Sequence, residues 1–350
     1  MISSDHVETT VPIAMATSSE YAPYLAVMLA SLAAHSKPDT HYEVIVLHEG
    51  LSTDLAAQLE EVIADFHHIT LRLVIPPAHV RDKLRRIENR KTAWPRLVFY
   101  RLFLAEMFPE YDKMIFLGVD VLIHADLAEL FAIPLGDAPL AAVADGYFLG
   151  APGDFASMYQ QRGVSMPPVY CNSDVQVQNL RAYREGGIGD AILDSVLRHD
   201  FPLIEQDAMN VVLPGMWKPL TMEWNYTLPR IRFLSPGSYA GIPEAVRTRS
   251  EEIERSGTWK IIHYQADKPW ALKKCETSPF TDLWWKTALS IPAFAREFEE
   301  SLAKQRRELE HDLRKQRLRA LFSLPHVRRK RAQKADRLAR TLAMIDAFRK

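Results

Sequence analysis

Four polar positions stand where apolar runs end. Asp120 follows Met114–Leu117 through Gly118-Val119, after which the run resumes as Val121-Leu122-Ile123. Asp145 ends Leu140-Ala-Ala-Val-Ala, His263 ends Trp259-Lys-Ile-Ile, and Ser18 or Ser19 follows Val11–Ala16. A continuous apolar run bounded by charges reads as a strand buried on both faces. Open α/β sheets bind their ligands at the carboxyl ends of such strands. A carboxylate, an imidazole and the nearby Lys268 suit a divalent cation with a diphosphate. The cation takes hard oxygen or imidazole ligands, and the lysine offsets remaining negative charge. Plainer uses exist for each: Asp120 as the cap of a helix over His124–Leu130, His263 as a satisfied core histidine.

The competing chemistries leave no trace. No Gly-x-Gly-x-x-Gly follows the first strand, no Gly-Lys-[Ser/Thr] loop exists, and no Gly-x-Ser-x-Gly elbow is present. Cys171 and Cys275 give neither a disulfide framework nor metal-binding spacing. What remains is a nucleotide diphosphate held by metal and side chains, with a sugar as the natural group to transfer. The polar start Met1–Glu8 lacks the regions of a signal peptide, and no run of 18 apolar residues occurs. A cytoplasmic protein is expected.

The elements that must position these groups alternate. Strands are expected at Val11–Ala16, Tyr42–His48, Ile69–Ile75, Leu140–Asp145, Val169–Gln178 and Trp259–His263, and from Lys113 with Asp120 at or just past its end. Helices are expected at Tyr21–Ala34, from Ser52 to about Phe66, at Arg96–Met107 and Leu180–His199, with a short one opening at Glu205. That order argues for a mainly parallel α/β sheet flanked by helices. Gly146–Pro168 is rich in Gly and Pro and aperiodic, and reads as a functional loop or lid. A catalytic domain over 1–290 and a basic helical tail over 291–350 are expected.

Eight segments in this order carry a family resemblance: Ile13-Ala-Met-Ala-Thr-Ser-Ser-Glu-Tyr21, Tyr100-Arg101, Tyr111–Asp120, Ala142–Asp145, Cys171-Asn172-Ser173, Glu205-Gln206-Asp207, Trp224-Asn225, and Ile262-His263-Tyr264 with Lys268-Pro-Trp270. Over about residues 10 to 290 the chain resembles glycosyltransferase family 8, in the style of bacterial lipopolysaccharide galactosyl- and glucosyltransferases. The resemblance implies a GT-A fold, a UDP-sugar donor, Mn²⁺ or Mg²⁺, and transfer of a hexose with retention to a cell-surface glycan such as lipopolysaccharide core. It implies that Ala16, Ser18 and Tyr21 hold the uracil, and that Arg101 lies near the donor phosphate and sugar. It makes Asp120 and His263 metal ligands and Lys268 the diphosphate lysine. Asp145, Asn172 and Asp207 are then donor-sugar groups, with Gln206 beneath the anomeric carbon.

One departure bears on the metal. The family motif is Asp-x-Asp, and here it reads Gly118-Val119-Asp120. Three outcomes stay open: Asp174 or Glu205 supplies the second carboxylate; Arg101 and Lys268 neutralise the phosphates with little metal; or the chain is an inactive nucleotide-sugar-binding scaffold or partner of another glycosyltransferase. Near the end, a family Gly is replaced by Ala266 or Asp267. Arg101 can also pair with Glu106 or Asp112, and Gln206 and Asp207 can merely begin a helix.

The formal charge of -1 conceals a split, because Lys304–Lys350 holds 16 Lys/Arg against 5 Asp/Glu. Leu302, Leu309, Leu313, Ala320, Leu321 and Leu324 form one stripe, and Ala335, Leu338, Leu342 and Ile345 form another beyond Pro325. Basic amphipathic helices read as peripheral contacts with the inner membrane. A helix pair or dimerising coiled coil would show the same pattern, and the scarcity of aromatic residues argues against nucleic acid.

Overall fold

The computed structural model describes residues 10–88, 96–165, 167–275 and 279–348. It divides into two compact units, 1–263 and 264–350.

The first unit is built on a seven-stranded sheet of order β3-β2-β1-β4-β7-β6-β8. Its strands are β1 (Thr10–Ala16), β2 (His41–Leu47), β3 (Ile69–Val74), β4 (Lys113–Leu117), β6 (Leu140–Ala144), β7 (Cys171–Asn179) and β8 (Lys218–Pro219). β5 (Val121–Ile123) and β9 (Ile261–His263) form a separate two-stranded sheet. β1, β2, β3 and β4 run parallel, and Val11–Met15, Val44–Leu47 and Met114–Leu117 are all buried, as two-sided coverage requires. β4 ends at Leu117, three residues ahead of Asp120, and Gly118-Val119-Asp120 leaves the sheet as a turn before β5 begins.

Strand direction decides what shares a rim. β7 is antiparallel to β4, with Leu117 opposite Val175, so the beginning of β7 lies at the carboxyl end of β4. β6 is antiparallel to β7, with Ala144 opposite Cys171, so Asp145 emerges at the same edge. Val121 pairs with His263 across β5 and β9, which brings His263 beside Asp120.

Several helices follow the apolar stripes closely. Ala22–His35 and Thr53–Ile63 form as expected, and Ser52 caps the second by accepting the Leu55 N–H at 3.3 Å. Arg96–Phe103 is a 3-10 helix that becomes α-helical only at Leu104–Met107. Leu180–His199 is broken at Gly187, whose φ of 58° ends Leu180–Gly186 before Ile188–Arg198 begins.

Gly146–Pro168 is not the irregular loop its composition suggested. It carries the helices Gly146–Gly150 and Pro152–Gln160. Pro152 sits in a first turn, where its missing N–H costs nothing. Gly150 is needed for contact: a Cβ there would lie 2.0 Å from the carbonyl oxygen of Ser238.

In the second unit, Trp284 and Trp285 are fully buried and pack on Phe298, so they are core residues. Two long helices follow, Ala295–Leu321 and Pro325–Phe348. They lie antiparallel, with Arg306 3.1 Å from Asp346. Leu302, Leu309, Leu313, Ala335, Leu338 and Ile345 are buried, so most of both stripes is spent within this unit. Leu321 and Leu324 instead stand exposed at the turn. Leu309→Ala is expected to cost about 2–5 kcal/mol, and Leu321→Ala to stay within about 0.5 kcal/mol, in chemical denaturation.

Candidate active site

The turn after β4, the start of β7 and the end of β9 bring Asp120, Asp174 and His263 together. One ligand atom from each lies within 4.8 Å of the others. His263 Nε2 is 3.5 Å from Asp120 Oδ2 and 3.4 Å from Asp174 Oδ2. His263 is buried, whereas the two carboxylates are partly exposed at the rim. Two carboxylates and an imidazole are a fitting donor set for Mn²⁺ or Mg²⁺, with water and phosphate oxygens completing the coordination.

A directed chain of hydrogen bonds sets the imidazole. The backbone N–H of Asp174 donates to Asn172 Oδ1 at 3.0 Å, and Asn172 Nδ2 donates to Asp145 Oδ2 at 3.0 Å. Asn225 Nδ2 also donates to Asn172 Oδ1, at 2.9 Å, which turns Asn225 Oδ1 toward His263 Nδ1, 2.9 Å away. Oδ1 can only accept, so Nδ1 donates to it, and Nε2 is the ring nitrogen that faces the two carboxylates. This is how a histidine is prepared for a cation.

Arg101 is buried and does not pair with Glu106 or Asp112. Nη1 and Nη2 each donate to Asp174 Oδ1 at 3.1 Å, and Nη1 donates to the Ser173 carbonyl at 2.8 Å. Its guanidinium also lies 4.4 Å from the centre of the Phe116 ring and 3.7 Å from Glu205 Oε1. Glu205 is buried, and that burial, opposed by Arg101, pushes its carboxyl up to about 7.

Gln206 and Asp207 lie in the helix Ile204–Val212. Ile204, just ahead of them, holds a left-handed φ of 38°, a strained choice for a β-branched residue. Gln206 Oε1 accepts from the Ser173 N–H at 2.9 Å and its hydroxyl at 3.2 Å, while Nε2 donates to Tyr170 Oη at 3.2 Å. Asp207 is fully buried. Its Oδ1 accepts from the hydroxyls of Tyr159 and Tyr170, and Oδ2 accepts from the Leu203 N–H at 2.7 Å. Burial raises the Asp207 carboxyl against the pull of the two tyrosines. Asp145 Oδ1 caps Gly146–Gly150 by accepting from Tyr147 and Phe148.

The remaining expected residues divide between the units. Ala16, the last residue of β1, and Ser18 are half-buried and Tyr21 is exposed, all at the same edge of the sheet. Tyr21 packs edge-on to Tyr24 with centroids 5.4 Å apart. Lys268 belongs to the second unit, where Nζ donates to the Tyr264 carbonyl at 3.1 Å. Ala266 takes a left-handed φ of 64°, the conformation that favours the family's Gly. Asn225, Tyr159, Tyr170 and Ser173 had no assigned role. Asn225 stood in a quoted motif, but only strand register reveals its partner.

Comparison with known proteins gives the family and the fold. The family model for glycosyl transferase family 8 matches residues 12–274. General stress protein A of Bacillus subtilis is 22% identical over 268 residues, covering 74% of this chain and 86% of the relative. Lipopolysaccharide 1,2-glucosyltransferase of Escherichia coli is 25% identical over 234 residues, covering 63% and 66%. The fold matches the solved galactosyltransferase LgtC, in complex with donor and acceptor sugar analogs, at a TM-score of 0.65 and 22% identity over 83% of this chain and all of that one. It matches the bifunctional glycosyltransferase WbbM at 0.70 and 21% identity over 85% and 52%. This is the GT-A architecture.

The raised Glu205 carboxyl fixes a pH dependence. The folded chain holds the proton up to about 7, whereas an unfolded glutamate releases it near 4.5. Its contribution to stability is therefore complete below the lower value and is lost as pH rises through the higher one. Glu205→Gln is expected to raise the melting temperature relative to wild type at pH 8 and to change it little at pH 5; the reverse order contradicts the assignment.

Proposed function

Since the chain belongs to glycosyl transferase family 8, we propose that it is a retaining hexosyltransferase that moves a hexose from a UDP-sugar to a cell-surface glycan such as lipopolysaccharide core. The observation that carries this reading is the convergence of Asp120, Asp174 and His263 at the carboxyl rim of the sheet. Asp120, Asp174 and His263 would hold a divalent cation there, which would supply positive charge to the leaving diphosphate.

The chain's own residues do the rest. Asn225 and Asn172 hold the His263 tautomer, so that Nε2 faces the cation site. Ala16, Ser18 and Tyr21 receive the uracil at the end of β1. Asp145 and Asn172 offer polar groups to the donor sugar. Gln206, held by Ser173 and Tyr170, presents a fixed dipole to the carbohydrate cation that develops. Asp207 acts as a positioning residue for Tyr170, since its oxygens are engaged within the protein. Arg101 anchors Asp174, and Lys268 retains the diphosphate role that the family pattern gives it. We extend the catalytic domain to about residue 290, beyond the family match that ends at 274.

The acceptor side of the reading is a glycan on the inner membrane, reached by peripheral contact. No helix among the described residues is long and apolar enough to cross a membrane. With the helical stripes mostly buried, the surface suited to lipid is the turn between the long helices. Leu318, Leu321, Phe322 and Leu324 are exposed there, Phe322 by 86%. Arg317, Arg319, Arg328, Arg329 and Lys330 flank them, and basic residues near anionic lipid contribute about 1 kcal/mol each.

Two experiments test these statements. A panel of UDP-hexoses assayed for UDP release should single out one donor, with release abolished by chelator and by Asp120→Ala. Donor binding without turnover would mark an inactive scaffold, and chelator-insensitive release would rule out the cation. Vesicles containing anionic lipid should sediment the full chain, and Phe322→Ser with Leu321→Ser should reduce that binding while donor turnover persists. Equal binding by the variant removes the turn from the membrane reading.

A further inference from the structure

Gly118 and Asp174 face each other across the end of the β4–β7 ladder. Leu117 pairs with Val175, and the next step is the hydrogen bond from the Gly118 N–H to the Asp174 carbonyl at 2.8 Å. Residues opposite each other in an antiparallel pair direct their side chains to one face, with Cβ atoms about 4.5–5.5 Å apart. A side chain at 118 and the side chain at 174 would therefore enter the same space. Asp174 fills it already: a Cβ on Gly118 would lie 3.3 Å from both Cβ and Oδ1 of Asp174, and 2.8 Å from Asp120 Oδ1.

We infer that Asp174 is the second carboxylate of the cation site, supplied from the facing strand, and that Gly118 leaves it room, because a side chain there would enter the same space and push the Asp120 carboxylate aside. Arg101 makes the arrangement selective within the carboxylate. Its two nitrogens engage Oδ1, and Oδ2 is the oxygen turned toward His263 Nε2 at 3.4 Å. Glu205 does not serve in this role; it is buried beside Arg101 and stands outside the group of converging ligand atoms. One consequence is counterintuitive. Restoring an Asp-x-Asp pattern by Gly118→Asp crowds three carboxylates into room for two, and weakens the site.

The inference deepens the proposed function and rests on its cation. It is tested with the full chain by titrating Mn²⁺ and following the free ion by electron paramagnetic resonance, with melting temperatures taken in parallel. Asp174→Asn keeps the side-chain shape and an acceptor for Arg101, and should weaken Mn²⁺ binding by about tenfold or more. Gly118→Asp should not tighten it, and should lower the melting temperature. The exchange Gly118→Asp with Asp174→Gly should recover most of the affinity lost in Asp174→Asn. Folded Asp174→Asn that binds Mn²⁺ like wild type overturns the inference, as does Gly118→Asp that binds more tightly with Asp174 in place. The two claims separate in a chelator assay of donor turnover. Chelator-sensitive turnover with Asp174→Asn unimpaired in Mn²⁺ binding removes only the role of Asp174; chelator-insensitive turnover removes the cation reading itself.

Discussion

Like charge gathered at one edge of a sheet is the constraint on which the site depends. Asp120 and Asp174 each place an oxygen within 3.5 Å of the same imidazole nitrogen. Two unit charges about 4 Å apart repel by about 4 kcal/mol at the effective dielectric near a protein surface. Arg101 answers part of that repulsion from one side, by holding Asp174 Oδ1. In the proposed reading, a divalent cation would answer the remainder. The hydrogen bonds from Asp145 through Asn172 and Asn225 to His263 serve the same end, since they fix the ring with Nε2 toward the carboxylates.

The sheet explains why so few residues suffice. Parallel β1, β2 and β4 deliver their carboxyl ends to one edge, while antiparallel β7 delivers its beginning there. Groups distant in sequence, from Ala16 to His263, are thereby set on rigid strand ends rather than on long loops. The strained Ile204 and the buried Asp207–Tyr159–Tyr170 cluster fix the helix that carries Gln206 against the start of β7. Precision of this kind serves electrostatic stabilisation, which depends on dipoles already in place.

Much of this was legible in the residues. Continuous apolar runs announced β1, β2, β4, β6 and β9, and the polar residues at the ends of β4, β6 and β9 drew attention to Asp120, Asp145 and His263. Which acidic residue stands beside Asp120 and His263 was not legible. Asp174 and Glu205 were both open until the register of β7 on β4 set Asp174 opposite Gly118. Asn225 was invisible for a similar reason, because a hydrogen-bond relay leaves no periodic signal. Gly146–Gly150 and Pro152–Gln160 were hidden by residues that usually break helices. In the tail, an apolar stripe looks the same whether it meets lipid or another helix, and here it is mostly spent on a helix. Only the exposed turn from Leu318 to Leu324 departs from that use.

The central claim is that the carboxylate–imidazole cluster binds a cation jointly with a nucleoside diphosphate. Calorimetric titration of Mn²⁺ in the absence and presence of UDP tests it most directly. Joint binding predicts that UDP tightens Mn²⁺ and that Mn²⁺ tightens UDP by the same factor, as linkage requires. Binding of the two without mutual effect, or no Mn²⁺ binding under either condition, would contradict it.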